Sequence, residues 1–195
     1  HTRTAAEVFG VPLDQVTSEM RFRAKAVNFG IVYGISDYGL SQGISVSRKE
    51  AGEYIAGYFA RYPAVKGFID STVLEARMTG YVSTLFGRRR YLPDINSSNF
   101  NLRAFAERTA MNTPVQGTAA DIIKKAMIQV HDAIREQGLK SRMLLQVHDE
   151  LIFEVLDSEL EPVKRLVRSA MENTVSLSVP LSVDIKQGLT WAETK

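Results

Sequence analysis

The stretch L-L-Q-V-H-D-E-L-I-F-E-V, Leu144 to Val155, sets strand-forming apolar residues on both sides of three ionisable ones. Read as one continuous strand, its period of two places Asp149 on the face of Leu145, Val147, Leu151 and Phe153. A carboxylate buried there without a partner costs on the order of several kcal/mol. The stretch therefore predicts a hairpin, with His148, Asp149 and Glu150 at its tip and the apolar residues of both arms packed on a sheet. The easy turn pairs Asn-Gly and Asp-Gly are absent. A tip made of two carboxylates and an imidazole suits a metal or phosphate site; the alternative is an ordinary solvated tip.

Working outward, the 195 residues are enough for one large domain or two small ones, and 45% hydrophobic and 24% charged content are those of a globular chain. No apolar run approaches the length of a membrane span, no signal peptide opens the chain, and no membrane partner is expected. With no cysteine there is neither a disulfide framework nor a thiolate metal site, which fits a reducing compartment. A net charge of +2 does not announce a nucleic-acid binder. The clustering of Arg88, Arg89 and Arg90, and of Arg21, Arg23 and Lys25, says more. The first residue is His1 and the opening reads as a helix start, so the chain reads as a piece of something longer.

Start and stop signals predict a short helix closed by Gly10 and a longer one from Ser18 to Tyr33, capped by Thr17 or Ser18 and stopped by Gly34. S-R-K-E, Ser47 to Glu50, reads as a capping box opening a helix that ends near Tyr62. A further helix runs from Ala64 to Met78. Tyr81 to Pro93 predicts a hairpin around Phe86-Gly87 with a basic second arm, followed by a polar loop at Asn96 to Asn101, the one linker candidate. From Leu102 the pattern is helical, breaks at Pro114 and resumes from Gly117 to Gln137. After the central hairpin come a helix from Asp157 to Thr174 and a final strand, L-S-V-D-I-K-Q-G.

In R-F-R-A-K-A-V-N-F-G-I-V-Y-G, residues Arg21, Lys25, Phe29 and Tyr33 recur at every fourth position and share one drifting helix face. Two cations and two rings make a poor core stripe. They suit a ligand with a phosphate end and a flat end. A partly solvated helix whose rings plug into a neighbour is the alternative.

This pattern, with Gly34, resembles the nucleotide-binding helix of family A DNA polymerases. Q-V-H-D-E resembles the same family's palm hairpin, and T-L-F-G-R-R-R-Y-L-P-D and E-R-T-A-M-N-T-P-V-Q-G-T-A-A-D-I-I-K-K-A-M also resemble that family in the same order. The likeness covers the whole chain and is to the C-terminal fingers and palm of a bacterial member. It implies an α+β fold: a helical fingers subdomain over 1–105 and, over 106–195, the C-terminal part of the antiparallel-sheet palm of a right-hand polymerase.

Carried over residue by residue, the resemblance makes Asp149 a ligand of two catalytic Mg²⁺ ions, with Glu150 beside it, and sets His148 near the primer terminus. Arg21, Lys25 and His1 would grip the incoming dNTP, and Lys25 could pass a proton to the leaving group. Phe29 would lie against sugar and base, and Tyr33 would guard the templating position. Asn112 and Gln116 would reach the minor groove of the primer-template, whose acceptors are alike for every correct pair; helix capping beside Pro114 is their structural alternative. Arg88, Arg89, Arg90 and Arg108 would neutralise DNA phosphates, against the plainer reading of the arginine run as a solvated face. A cytoplasmic, nucleoid-associated bacterial protein is implied.

The sequence departs from the family at the upstream end. A segment like D-Y-S-Q-I-E-L-R, which supplies the other metal aspartate and the ribonucleotide-excluding glutamate, does not occur here. Thumb and exonuclease segments are likewise missing. Asp184, expected on a strand of the same sheet, does not match that aspartate and is read as structural. The resemblance therefore implies template-directed DNA synthesis by the parent, with the isolated chain inactive and its sheet left with an open edge that calls for the missing palm and thumb segment as partner. A non-catalytic nucleotide or primer-template module and a single-subunit RNA polymerase remain alternatives. A metal-dependent nuclease leaves the phosphate-gripping helix unexplained.

Overall fold

The computed structural model describes residues 1–194 and divides into two compact units, His1–Gly117 and the residues from Thr118 onward. The fold is α+β, mostly helical, with two small antiparallel sheets of two strands each. Among the described residues no helix is long and apolar enough to cross a membrane.

The first unit opens with α1 (Thr2–Phe9), closed by Gly10 at φ 66°, and a 3-10 turn follows at Leu13–Gln15. α2 (Ser18–Val32) begins where the Thr17 hydroxyl accepts from Met20 N–H at 3.1 Å. A short helix not foreseen in the sequence, α3 (Asp37–Ile44), is capped by Ser36, which accepts from Gly39 N–H. Its two glycines make it a poor helix in isolation. Burial of Leu40 and Ile44 with Val27, Ile31 and Ala51 holds it in place.

α4 (Arg48–Arg61) shows half of the expected capping box: Ser47 accepts from Glu50 N–H. The Glu50 carboxylate does not reach back to Ser47. It accepts instead from Arg23 at 3.2 Å and from the Tyr54 hydroxyl at 2.8 Å. α5 (Pro63–Thr79) starts on its proline, which needs no N–H there, and stops at Gly80 with φ 78°. β1 (Tyr81–Ser83) and β2 (Arg89–Tyr91) form the expected basic hairpin, and Ala76, Val82, Leu92, Ile95, Ala106 and Ala110 form a core.

Glu7 ties α1 to the end of α4. Its carboxylate accepts from the Tyr62 hydroxyl, from Arg3 Nε at 3.0 Å and from Arg61 Nε at 3.3 Å. The Tyr62 bond first, then Arg3, draws its pKa from 4.5 down to about 2. A lowered carboxylate pKa gives stability that is present above the unfolded value and lost as pH falls toward the folded one. Glu7→Gln should therefore melt at a lower temperature than the parent at neutral pH, and the gap should close between about pH 4.5 and 2; thermal melts across that range check it.

α6 (Phe100–Glu136) corrects the expected break at Pro114, because the proline lies inside one continuous helix. Proline removes only the hydrogen bond to the Ala110 carbonyl, at about 3 kcal/mol. Packing holds the helix through it: Ala106 and Ala110, just before the proline, lie in the core with Ala76, Val82, Leu92 and Ile95. Asn112 and Gln116 accordingly lie within α6 and do not cap it at Pro114.

In the second unit α7 (Leu160–Glu172) turns Val163, Leu166 and Val167 onto Val130 and Ile134. β3 (Arg142–Val147) and β4 (Glu150–Glu154) form the central hairpin. A bulge between Met143 and Leu145 shifts the register, so that Met143 pairs with Phe153 while Leu145 pairs with Ile152 and Gln146 with Leu151. Cross-strand partners share a face, so the two-residue turn, which sets Val147 opposite Glu150 and Leu145 opposite Ile152, keeps Leu145 and Val147 off the Phe153 face. Phe153 and Val155 pack on the core. Leu144 and Leu145, expected to be packed, are about half exposed at 52% and 54%. The turn sets Leu145 on the face opposite Phe153, and the bulge leaves Leu144 without a cross-strand partner, which breaks the two-residue alternation there.

The expected final strand does not form, and Asp184 lies on no strand. Residues 181–188 alternate half-buried and exposed at first, as a strand would, but no described neighbour offers a ladder. The Val183 carbonyl accepts from Arg168 Nη1 at 2.8 Å and its N–H donates to Glu172 Oε1 at 3.0 Å. Side chains of α7 replace a neighbouring strand.

Candidate functional site

Each unit presents its own group of the singled-out residues. In the first unit α2 buries Ala24, Val27 and Ile31 on one side and exposes Arg21, Lys25, Phe29 and Tyr33 on the other. Phe29 and Tyr33 are 49% and 52% exposed, so the rings do not plug into a neighbour. The Lys25 ammonium lies 5.9 Å from the centroid of the Phe29 ring. The His1 ring meets Phe29 from α1's side, with centroids 5.6 Å apart, and is held there by Asn28 Nδ2 at 3.0 Å from His1 Nδ1. Asn28 also donates to Thr4 Oγ1.

The neighbouring carboxylates are occupied elsewhere. Arg23 pairs with Glu19 and Glu50 and donates to the Tyr54 hydroxyl at 2.6 Å. Neither Arg21 nor Lys25 makes an ion pair among the described residues. Two uncompensated cations and an exposed ring beside an imidazole attract an anion with a flat apolar part.

A cavity of about 490 Å³ adjoins the C-terminal end of this face, lined by Phe29, Gly30, Tyr33, Gly34, Ser36 and Arg108 among others. Gly34 turns the chain at φ 66°, and a Cβ there would come within 2.5 Å of Met111 Cε. Arg108 therefore stands against the end of α2. Asn112, one turn further along α6, donates through Nδ2 to the Val32 carbonyl at 3.4 Å, serving one of the orphan acceptors of α2's last turn. Gln116 is exposed.

On the basic hairpin Arg88, Arg89 and Arg90 are all exposed. The Arg89 guanidinium lies 4.5 Å over the Tyr81 ring, which meets Tyr91 edge-on at 5.7 Å, and Arg90 reaches Thr113 Oγ1 at 3.5 Å. The cations are thus held outward on an aromatic mount.

In the second unit the hairpin tip is tighter than expected. Its turn is His148 and Asp149 alone, and Glu150 is already the first residue of β4, paired with Val147. His148 has φ 53°, the left-handed value that two-residue hairpin turns need at their first position. All three side chains are exposed. Among the described residues no group of three or more His, Asp or Glu side chains could hold a metal. Asp149 and Glu150 are adjacent hard oxygen donors and fit part of the shell of an ion such as Mg²⁺.

These features meet a family pattern end to end: residues 1–193 match the model for DNA polymerase family A. The chain belongs to that family. It is 60% identical over 195 residues to the DNA polymerase I of Caldicellulosiruptor bescii, covering all of this chain and 23% of that protein. To the DNA polymerase I of Geobacillus stearothermophilus it is also 60% identical, over 22% of that protein's length. The chain thus spans less than a quarter of these family A relatives. A solved structure of the POL domain of Pol1 from M. smegmatis, in complex with DNA primer-template and dNTP, superposes with a TM-score of 0.96 at 48% identity, covering all of this chain and 34% of that one.

Two residues of this family A chain escaped the sequence reading. Asn28 holds His1 across 27 positions, and no local pattern signals so distant a partner. Gln146 donates to the His148 carbonyl at 2.6 Å; its only sequence signal is a lone amide among Leu144, Leu145 and Val147.

Proposed function

We propose that this chain supplies the fingers, over 1–105, and the C-terminal part of the palm, over 106–195, of a bacterial template-directed DNA polymerase that adds dNTPs to a primer 3′-hydroxyl. The observation that carries the reading is the solvent-facing row Arg21, Lys25, Phe29 and Tyr33, whose cations have no carboxylate partner among the described residues. The primer-template and dNTP bound to the structurally similar Pol1 domain support it.

Arg21, Lys25 and His1 hold the triphosphate in this reading, and Lys25 carries a proton to the departing pyrophosphate. Phe29 lies against the nucleoside and Tyr33 limits access at the templating base. Asp149, with Glu150, holds Mg²⁺, which when bound offsets charge developing at the reacting oxygens. The rest of the carboxylate shell is assigned to an upstream palm segment outside these residues. His148 donates to the primer end, Asn112 and Gln116 test the minor groove, and Arg88, Arg89, Arg90 and Arg108 hold phosphates. The setting is the bacterial cytoplasm.

Primer extension with Mg²⁺ and all four dNTPs tests this, using the chain alone and then mixed with a separately produced upstream palm segment. Extension only in the mixture supports the split assignment. Extension by the chain alone would show that other carboxylates of this chain complete the shell. A sharper expectation concerns α2: Arg21→Ala and Lys25→Ala should each weaken dNTP binding about tenfold or more, the scale of one lost charge-assisted hydrogen bond. Arg23→Ala should instead lower the melting temperature and leave dNTP affinity nearly unchanged. Calorimetric titration with dATP separates the two classes.

A further inference from the structure

The turn that carries Asp149 is strained and is braced by a side chain of the strand that leads into it. His148 holds a left-handed φ of 53°, a conformation that residues bearing a Cβ disfavour. Gln146 Nε2 donates to the His148 carbonyl at 2.6 Å. That carbonyl belongs to the peptide joining His148 to Asp149. Fixing its plane fixes the direction in which the Asp149 Cα–Cβ bond leaves the hairpin. The two-residue turn itself sets the register in which Gln146 stands opposite Leu151.

We propose that Gln146 is a positioning residue: its amide holds the left-handed turn so that Asp149 and Glu150 are presented to a divalent cation as a preset pair. The proposal rests on the metal reading of those carboxylates given above. Gln146 touches neither substrate nor cation and acts through the backbone. Only a donor serves; a carboxylate at 146 would face the carbonyl with no hydrogen to share.

Labelled chain in solution tests both halves. A positive φ brings a residue's own amide and α protons close, so His148 should show an intense intraresidue NOE, weakened in Gln146→Ala and Gln146→Glu. Mn²⁺ titration should broaden the Asp149 and Glu150 amide signals, with the midpoint raised roughly tenfold in both variants, as for other residues that orient metal ligands. Melting temperature should hardly move, since Gln146 is exposed. In the double variant Gln146→Ala/His148→Gly, glycine adopts the turn without a brace and the midpoint should return toward the parent's. An unchanged NOE and midpoint in Gln146→Ala, or a raised midpoint that glycine fails to restore, overturns the proposal. No broadening in the unsubstituted chain would instead sink the metal assignment, leaving the NOE to decide whether Gln146 braces the turn.

Discussion

Asp149→Asn should reduce nucleotide incorporation by about 10³-fold or more in the reconstituted mixture, the scale set by removing a charged member of a catalytic unit. The substitution keeps the size of the side chain and removes one negative charge. Asp149 is exposed in a two-residue turn and packs on nothing, so stability should be unaffected. DNA affinity should stay within about twofold, because phosphate contacts dominate it and those are assigned to the arginines. Single-turnover incorporation and DNA binding, measured on the same preparation, check the pair of outcomes. Loss of both together would point to a misfolded variant, and retention of rate would remove Asp149 from the chemistry.

Gly34→Ala should be the most destabilising small substitution in the first unit. Alanine at φ 66° costs roughly 1–2 kcal/mol by itself, and the new Cβ meets Met111 Cε at 2.5 Å and Arg108 Cγ at 3.0 Å. Overpacking of that kind adds about 1–3 kcal/mol, the lower figure if the flexible Met111 side chain yields. A total of roughly 3 kcal/mol corresponds to a melting temperature lower by about 10 °C. Gly57→Ala is the matched control: it lies in α4 with nothing within 4 Å of the new Cβ, and should stabilise by about 0.5–1 kcal/mol. Melts of the two variants side by side check the contrast.

Which parts of this molecule can be read from its sequence follows from how local their causes are. Thr17, Ser47, Gly10 and Gly80 act within a turn of the helices they bound, and the ends they mark are where the sequence puts them. The face of α2 is legible for the same reason, since a four-residue recurrence is a property of the helix alone. α3 is not, because two glycines hide a helix that exists through Leu40 and Ile44 packing on residues more than a turn away in sequence. Pro114 misleads in the opposite direction: a local breaker is outvoted by the packing of the helix on both sides of it, through Ala106 and Ala110 before and Val130 and Ile134 after. The bulge in β3 has no residue signature, and it takes Leu144 out of the pairing. At the sites, residue types were visible, while the bonds that hold them, Asn28 to His1 and Asn112 to Val32, join positions 27 and 80 apart.

The extended segment that α7 holds by Val183 has a property no sheet strand shares. Its two backbone bonds end on a guanidinium and a carboxylate, which also pair with each other at 3.5 Å. A ladder made of amides ignores the electrolyte around it, whereas this latch is made of charge and loosens when ions screen it. As salt rises, the Val183 amide should exchange its hydrogen progressively faster while those paired across β3 and β4 keep their pace. The tail of the chain is thereby fastened with a clasp that the solution itself can open.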